Sequence, residues 1–181
     1  MSLELLGGRI LAPYFGSSIY VWGSVITIFM LSLSGGYLIG GKLSTRNPTM
    51  TKFGMIFFFA ALLLAPLIYL SESVMELIFH YVTDPRYGSL LASTVLFMVP
   101  TVFLGMISPY SVRLLIESVA KSGEVAGRLY FVSTLGSSLG TLATSFYLVL
   151  WFEINTILIF MTGSLTLLSA IALGSDKWVS R

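Results

Sequence analysis

Five stretches of this sequence contain no charged side chain and no histidine, and each reaches or approaches the length needed to cross a membrane. A bilayer core is spanned by roughly 20 apolar helical residues. In an open chain, only a helix satisfies its own backbone hydrogen bonds in lipid. The sequence therefore predicts an all-α membrane protein whose charge-free stretches are residues 10–41, 53–71, 87–112, 129–152 and 154–175.

The expected architecture is a single transmembrane domain over residues 1–181. A short N-terminal half-helix should precede five full transmembrane helices. Within the charge-free stretches, turn residues and prolines place these helices at about 17–41, 53–70, 87–107, 129–152 and 156–174.

The composition excludes several classes of protein. Only 10% of the residues are charged and the mean hydropathy is +0.92, whereas a soluble domain carries about 25% charge. The net charge of +2 does not indicate nucleic-acid binding, and the absence of cysteine excludes disulfides and thiolate metal sites. His80 is the only histidine, and no catalytic motif is present. We therefore expect no enzyme activity, no cofactor and no metal.

Lysine and arginine are distributed unevenly between the predicted loops. The segment 71–86 has three acids and one arginine, and the turn after the fourth span has only Glu153. Cytoplasmic loops of membrane proteins carry the excess of basic residues. We therefore expect a multi-pass protein of the cell (inner) membrane with a cytoplasmic C-terminus, in which the cytoplasmic side holds Lys42, Arg46, Lys52, Arg113, Lys121, Arg128, Lys177 and Arg181.

Prolines and an amphipathic pattern predict irregular points along the chain. Pro13 and Gly16 indicate a turn before the first span. Residues 71–86 repeat apolar side chains at helical spacing, which predicts a short interfacial helix. Pro100 predicts a kink in the third span, and Pro109 predicts the end of that helix.

Glu4 and Arg9 are the first candidates for a binding site. Ionisable groups near membrane depth are costly and often functional. Glu4 could bind a cationic substrate or a proton, with Arg9 adjusting its pKa. The alternative is that both side chains reach the interface, where Arg9 meets lipid phosphate.

Aromatic residues near the outer end of the first span are the second candidates. Tyr14, Tyr20 and Trp22 fit the aromatic belt of a membrane interface. They also fit a cage that binds an ammonium group through cation–π contacts. Tyr37 lies deeper, among glycines, and is included with the possible substrate-binding residues.

Two small-residue patterns are the third feature. Gly36 and Gly40 form one GxxxG pattern, and Gly136 and Gly140 form another. Such patterns let helix backbones approach closely, so we expect these glycines to serve helix packing. Ser133 and Ser137 could line a polar path in the fourth span or bond to their own helix.

Six separated segments resemble the membrane domain of fused major-facilitator/spermidine-synthase proteins, also called membrane-bound spermidine-synthase-like proteins. The resemblance covers about residues 4–150. It rests on ELLGGRILAPYFGSS (4–18), YVWG (20–23), GYLIGGKL (36–43), GMISPY (105–110), GRLY (127–130) and STLGSSLGT (133–141).

This resemblance implies a fold similar to one half of a major facilitator transporter, with six helices of which the first is shortened. It implies transport of a small polar, cationic solute such as a polyamine. Because facilitators contain two such halves, a parallel homodimer is expected. Members of the family often carry a soluble aminopropyltransferase-like domain, which has no counterpart in these residues, so synthase activity is not implied.

Two other functions remain open. The chain could be a membrane anchor or scaffold for a separate soluble synthase-like partner. Its amphipathic connectors also fit a lipid-interacting or membrane-shaping protein.

Overall fold

The computed structural model describes residues 1–116 and 122–179, with side chains as far as residue 175, and this part of the chain is helical without strands. The all-α prediction is therefore confirmed. Lys121 and Arg181, which the charge pattern assigns to the cytoplasmic side, lie outside the described residues. The helices are α1 (Ser2–Phe15), α2 (Ile19–Ser44), α3 (Met50–Leu64), α4 (Leu67–Tyr81), α5 (Pro85–Leu115), α6 (Ser122–Ala143), a π-helical turn (Thr144–Leu148), α7 (Val149–Trp151) and α8 (Ile154–Val179).

Three of these helices, α2, α5 and α8, are long and apolar enough to cross a membrane. The pair α3 and α4 would supply a fourth span, with a bend of 48° between them. Five full spans are not confirmed. The predicted fourth span, residues 129–152, falls on α6, the π-helical turn and α7, where serine, threonine and glycine dilute the apolar residues.

Prolines differ in their effect on the helices: the turn predicted before the first span is present but does not include Pro13, and the prediction that Pro109 ends its helix was wrong. Pro13 lies inside α1, and the turn comes at Gly16, whose φ of 77° favours glycine. Pro109 does not end α5, which continues to Leu115. Proline is tolerated inside helices that neighbouring helices hold in place, and α5 packs against α2, α3 and α4.

The predicted second span, 53–70, is divided at its proline. Helix α3 ends at Leu64, and α4 begins after Pro66. Pro66 has no N–H to donate, which weakens the helix at this point. The helix predicted within residues 71–86 is the C-terminal part of α4, which begins earlier, at Leu67.

Helices α2 and α5 run parallel and form the closest pair in the fold. The hydroxyls of Ser24 and Ser89 are 3.0 Å apart at one end. Towards the other end, a Cβ added at Gly40 would lie 2.6 Å from the Met106 Cα. The contacting residues of α2 and α5 differ in number by nearly the same amount at both ends. The two helices therefore run in the same direction.

Helices α3 and α8 run in opposite directions. The Ser169 hydroxyl donates a hydrogen bond of 2.9 Å to the Gly54 carbonyl, and a Cβ at Gly54 would lie 2.8 Å from Leu173. Near the other end of the pair, Leu64 and Ile157 line the same cavity.

The larger apolar cluster is centred on α1. Leu6 and Leu11 of α1 are fully buried, and α2, α3, α4, α5 and α8 contribute surrounding side chains. A smaller cluster lies at the opposite end of α5, around the buried Tyr110. The Tyr110 hydroxyl accepts from the Thr49 N–H (3.1 Å) and donates to the Thr49 carbonyl (3.3 Å), which holds the loop after α2 against α5.

Helix α6 differs from the other long helices because none of its residues is buried against the described part of the chain. It runs beside α1 in the same direction. A Cβ at Gly140 would lie 3.1 Å from the Ser2 hydroxyl, and further along Arg9 reaches the carbonyl of Val149.

Candidate functional site

Glu4 and Arg9 both lie on α1 but do not pair with each other. They are five residues apart, which places them about 140° apart around the helix. The Arg9 side chain is exposed, and its Nη1 donates to the Val149 carbonyl at 3.3 Å. Val149 belongs to the last turn before the chain leaves α7, where carbonyls lack helical partners and attract cations. Arg9 therefore caps a neighbouring helix.

The Glu4 carboxylate is half-buried and makes no hydrogen bond or ion pair with any described residue. A carboxylate with unused acceptor positions is available to a cationic ligand. Of the predicted site residues, it is the one whose charge the described part of the fold leaves uncompensated.

Tyr14 lies near the end of α1, against α4. Its ring meets Phe79 edge-on, with centroids 6.0 Å apart. Burial raises the pKa of the Tyr14 hydroxyl above its usual value of 10.0, and the carboxylates of Glu76 and Glu72 raise this pKa further. The phenol is therefore neutral at physiological pH and can donate a hydrogen bond to an anion or to water.

Glu72 and Glu76 are functional candidates that did not stand out in the sequence. Both are exposed and stand one helical turn apart on α4. Two carboxylates at i and i+4 on one helix face make a local negative field. The i,i+4 spacing is visible in the sequence, but the fold is needed to place this pair beside Tyr14.

Tyr20 already has a cationic partner within the chain. The Arg86 guanidinium lies 4.8 Å from the centroid of the Tyr20 ring, and its Nη2 is 3.4 Å from the Tyr20 hydroxyl. This cation–π contact is made by a side chain of α5 and not by an ammonium ligand. The Tyr20 ring face on that side is not free for a ligand.

Trp22 packs against α1. A Cβ added at Gly8 would lie 2.7 Å from the Trp22 ring, so the indole rests directly on the glycine backbone. Trp22 is half-buried. Its position serves the contact between α1 and α2.

Tyr37, Ser133 and Ser137 lie away from the aromatic group. Tyr37 is 48% exposed and follows Tyr20 by 17 residues on the same helix, a distance of about 25 Å along its axis. Ser133 is exposed and Ser137 half-buried on α6, where the Ser137 carbonyl accepts a hydrogen bond from Thr141. The predicted binding residues therefore do not form one site within a single copy of the chain.

The two glycine pairs occupy different environments. Gly36 meets the backbone of Val102 and Gly105, and Gly40 meets that of Met106. A Cβ at Gly136 would meet nothing within 4 Å. Only the first pair brings two helix backbones of this chain together.

No group of three or more His, Cys, Asp or Glu side chains in the described part of the chain could hold a metal ion. Comparisons with protein-family models, with curated proteins and with solved structures found no match. The resemblance to spermidine-synthase-like membrane domains therefore stays a prediction.

Proposed function

We propose that this chain is one half of a membrane transport module for a small polar, cationic solute such as a polyamine, and that two parallel copies form the module. The observation that carries the proposal is the exposure of α6. This helix has 22 residues, none of them buried, and it presents Ser133 and Gly136 away from the bundle. A helix of this composition is suited to a second helix or to a hydrated path.

The helix directions support a facilitator-like half with five crossings. In this proposal α2, the bent pair α3–α4, α5, the α6–α7 segment and α8 cross the membrane, and α1 reaches part of the way. The ends of α2 and α5 bring Lys42 and Arg113 to one side, and Glu153 follows α7 on the other. The basic side is assigned to the cytoplasm of a cell (inner) membrane, and the C-terminus lies on that side.

The charges support a cationic solute. Glu72 and Glu76 stand at the outer end, beside Tyr14, and would attract a cation from solution. Glu4 lies deeper on α1 and has no described partner for its charge. In the proposed path, the solute passes from the outer carboxylates to Glu4 and then along the serines of α6.

Uptake of labelled putrescine and spermidine into proteoliposomes tests this proposal. We expect saturable uptake by the native protein and its loss in Glu4→Gln. The matched control is Glu124→Gln, because Glu124 forms an exposed surface ion pair with Arg128 at 2.8 Å. Native-like uptake by Glu4→Gln would show that Glu4 is not the binding residue. No uptake by folded native protein would refute transport of these solutes.

Cysteine cross-linking tests the proposed dimer, and the absence of native cysteine makes it simple. We expect Ser133→Cys to cross-link between copies, because Ser133 is exposed on α6 and α6 faces α6 in a twofold parallel pair. The control is Ile26→Cys, which is exposed on α2 and should not cross-link. Equal cross-linking at both positions would contradict the assigned interface.

A second function is favoured by a different observation. The cavity between α3, α5, the π-helical turn and α8 is lined almost wholly by apolar side chains, which suits an anchor or scaffold for a soluble synthase-like partner better than a channel. Single cysteines at Ser133, Ser137 and Tyr37 separate the two functions. Reaction with a water-soluble maleimide supports transport, whereas protection at all three, together with a co-purifying soluble protein, supports the anchor.

A further inference from the structure

A cavity of about 340 Å³ lies where α3, α5, the π-helical turn and α8 meet. Leu64 closes it on the side of α3, Leu104 on the side of α5 and Leu148 on the side of the π-helical turn. Five residues of α8 form the remaining wall: Ile157, Phe160, Met161, Ser164 and Leu165. None of the described residues that line it is charged.

The cavity exists because two helices are irregular at the same level of the bundle. Leu64 is the last residue of α3, directly before the 48° bend at Pro66. Leu148 is the last residue of the π-helical turn, Thr144–Leu148. A bend and a widened turn each move side chains away from regular packing, and π-helical turns occur frequently at functional sites.

The side chains that line the cavity favour an apolar ligand. Ser164 is the only polar residue among the described residues of the lining. Its hydroxyl donates a hydrogen bond of 2.8 Å to the Phe160 carbonyl of its own helix, so this donor is not directed at the cavity. Apolar cavities in proteins stay free of water and bind hydrocarbon guests. The volume also falls within the range of small-molecule sites, about 300–1,000 Å³.

The position of the opening indicates where the ligand comes from. Phe160 lines the cavity and is 62% exposed, so the cavity reaches the surface of α8. That helix is apolar enough to cross a membrane. Its other exposed side chains include Ile159, Leu167 and Ile171. In a bilayer, this surface faces hydrocarbon chains.

We propose that the cavity is a binding site for one acyl chain of a membrane lipid, which enters beside Phe160 and packs against Leu64 and Leu148. The bound chain fills the space that the bend and the π-helical turn create. It is held by van der Waals contact with the wall, and the lipid headgroup remains outside the cavity.

Photolabelling in nanodiscs tests this proposal. The probe is phosphatidylcholine with a diazirine at the end of one acyl chain, mixed into unlabelled phosphatidylcholine. After irradiation, peptide mass spectrometry locates the adducts. We expect adducts on the cavity residues of α8 and on Leu64. A phosphatidylcholine that carries the diazirine on its headgroup should not label them.

Two variants on the same helix separate the cavity from the general lipid surface. Ser164→Trp places a large apolar ring in the cavity, and labelling of Leu64 should fall about tenfold. The control is Leu167→Trp, which changes a 63% exposed residue outside the lining and should label as the native protein does.

Labelling confined to exposed positions such as Leu167 in the native protein would overturn the proposal, whether or not Ser164→Trp folds. So would equal labelling of Leu64 by the chain probe and the headgroup probe. Loss of labelling when excess detergent is added, followed by recovery in fresh nanodiscs, would support a lipid chain as the exchangeable occupant.

Discussion

The α2–α5 pair and α6 contain the same kind of small-residue pattern but differ in how the fold uses it. In the pair, Gly36 and Gly40 of α2 lie against the backbone of α5. On α6, Gly136 faces open space and no residue is buried. A GxxxG pattern indicates that a helix can be approached closely. Whether the approaching helix belongs to the same chain depends on what the rest of the fold places beside it.

The largest expected effect comes from Gly36→Ala. The added Cβ would collide with the Val102 carbonyl oxygen and lie 2.8 Å from the Gly105 Cα. The contact is with backbone atoms, so the two helices would have to move apart. We expect a loss of about 3 kcal/mol of stability or more, measured by thermal unfolding in detergent followed by circular dichroism.

Neighbouring glycines provide the matched controls for this change. Gly35→Ala and Gly41→Ala meet nothing within 4 Å and should stabilise their helix by up to about 1 kcal/mol, the helix-propensity difference. If Gly36→Ala unfolds at the same temperature as Gly35→Ala, the close contact between α2 and α5 is wrong.

The next largest effect is expected at the other end of α5. Tyr110→Phe removes both hydrogen bonds to Thr49 and leaves the half-buried Thr49 N–H without its described partner, whereas the Thr49 carbonyl still accepts from the Phe53 N–H. We expect a loss of about 1–3 kcal/mol and faster proteolysis of the loop after α2. Tyr130→Phe on α6 changes an exposed tyrosine and should alter neither the stability nor the rate of proteolysis. Equal protease sensitivity of the two variants would mean that Tyr110 does not hold the loop.

A smaller effect is expected for Ser24→Ala. The Ser89 hydroxyl donates to the Pro85 carbonyl, so Ser24 is the donor in the bond between the two serines. Ser89 keeps its other partner when Ser24 is removed. Hydrogen bonds between membrane helices contribute about 0.6 kcal/mol on average, and unfolding in mild denaturant should report a loss of this size. Ser34→Ala removes a hydroxyl that bonds to its own helix and should leave the stability unchanged. An equal loss of stability in Ser34→Ala would mean that the loss in Ser24→Ala does not come from the hydrogen bond between helices.

The smallest effect is expected for Arg9→Gln, which removes the cationic cap from Val149 next to α6. The side chain is exposed, and solvent screens such contacts, so we expect a few tenths of a kcal/mol. Arg9→Lys keeps the charge and should lose less. A large loss for both variants would mean that α6 depends on this contact far more than its open position suggests.

The helices were predictable because charge-free runs of this length have few alternatives in lipid. Their ends were less predictable. Pro66 and Pro109 are the same residue in similar apolar surroundings, yet the chain bends near the first and the helix continues through the second. The difference comes from the neighbouring helices, which the sequence of one segment does not contain.

The sequence predicted individual residues of the candidate site but not which residues they contact. The sequence identified Glu4, Arg9 and Tyr20 as chemically notable, but not that Arg9 reaches Val149 or that Tyr20 meets Arg86. Those partners are far away along the chain, and their proximity depends on helix direction and register. The π-helical turn beside the cavity was not predictable either, because its residues, TSFYL, fit a regular helix equally well.

The parallel arrangement of α2 and α5 has a consequence for biosynthesis. The two serines that join these helices are separated by 65 positions, and ribosomes add about 5–20 residues per second. Helix α2 is therefore synthesised roughly 3–13 s before the contacting part of α5. During this interval its glycine face is exposed to lipid or to the insertion machinery. A chaperone or translocon surface that shields small residues would act on α2 in this period, and slowing translation between the two helices would lengthen it.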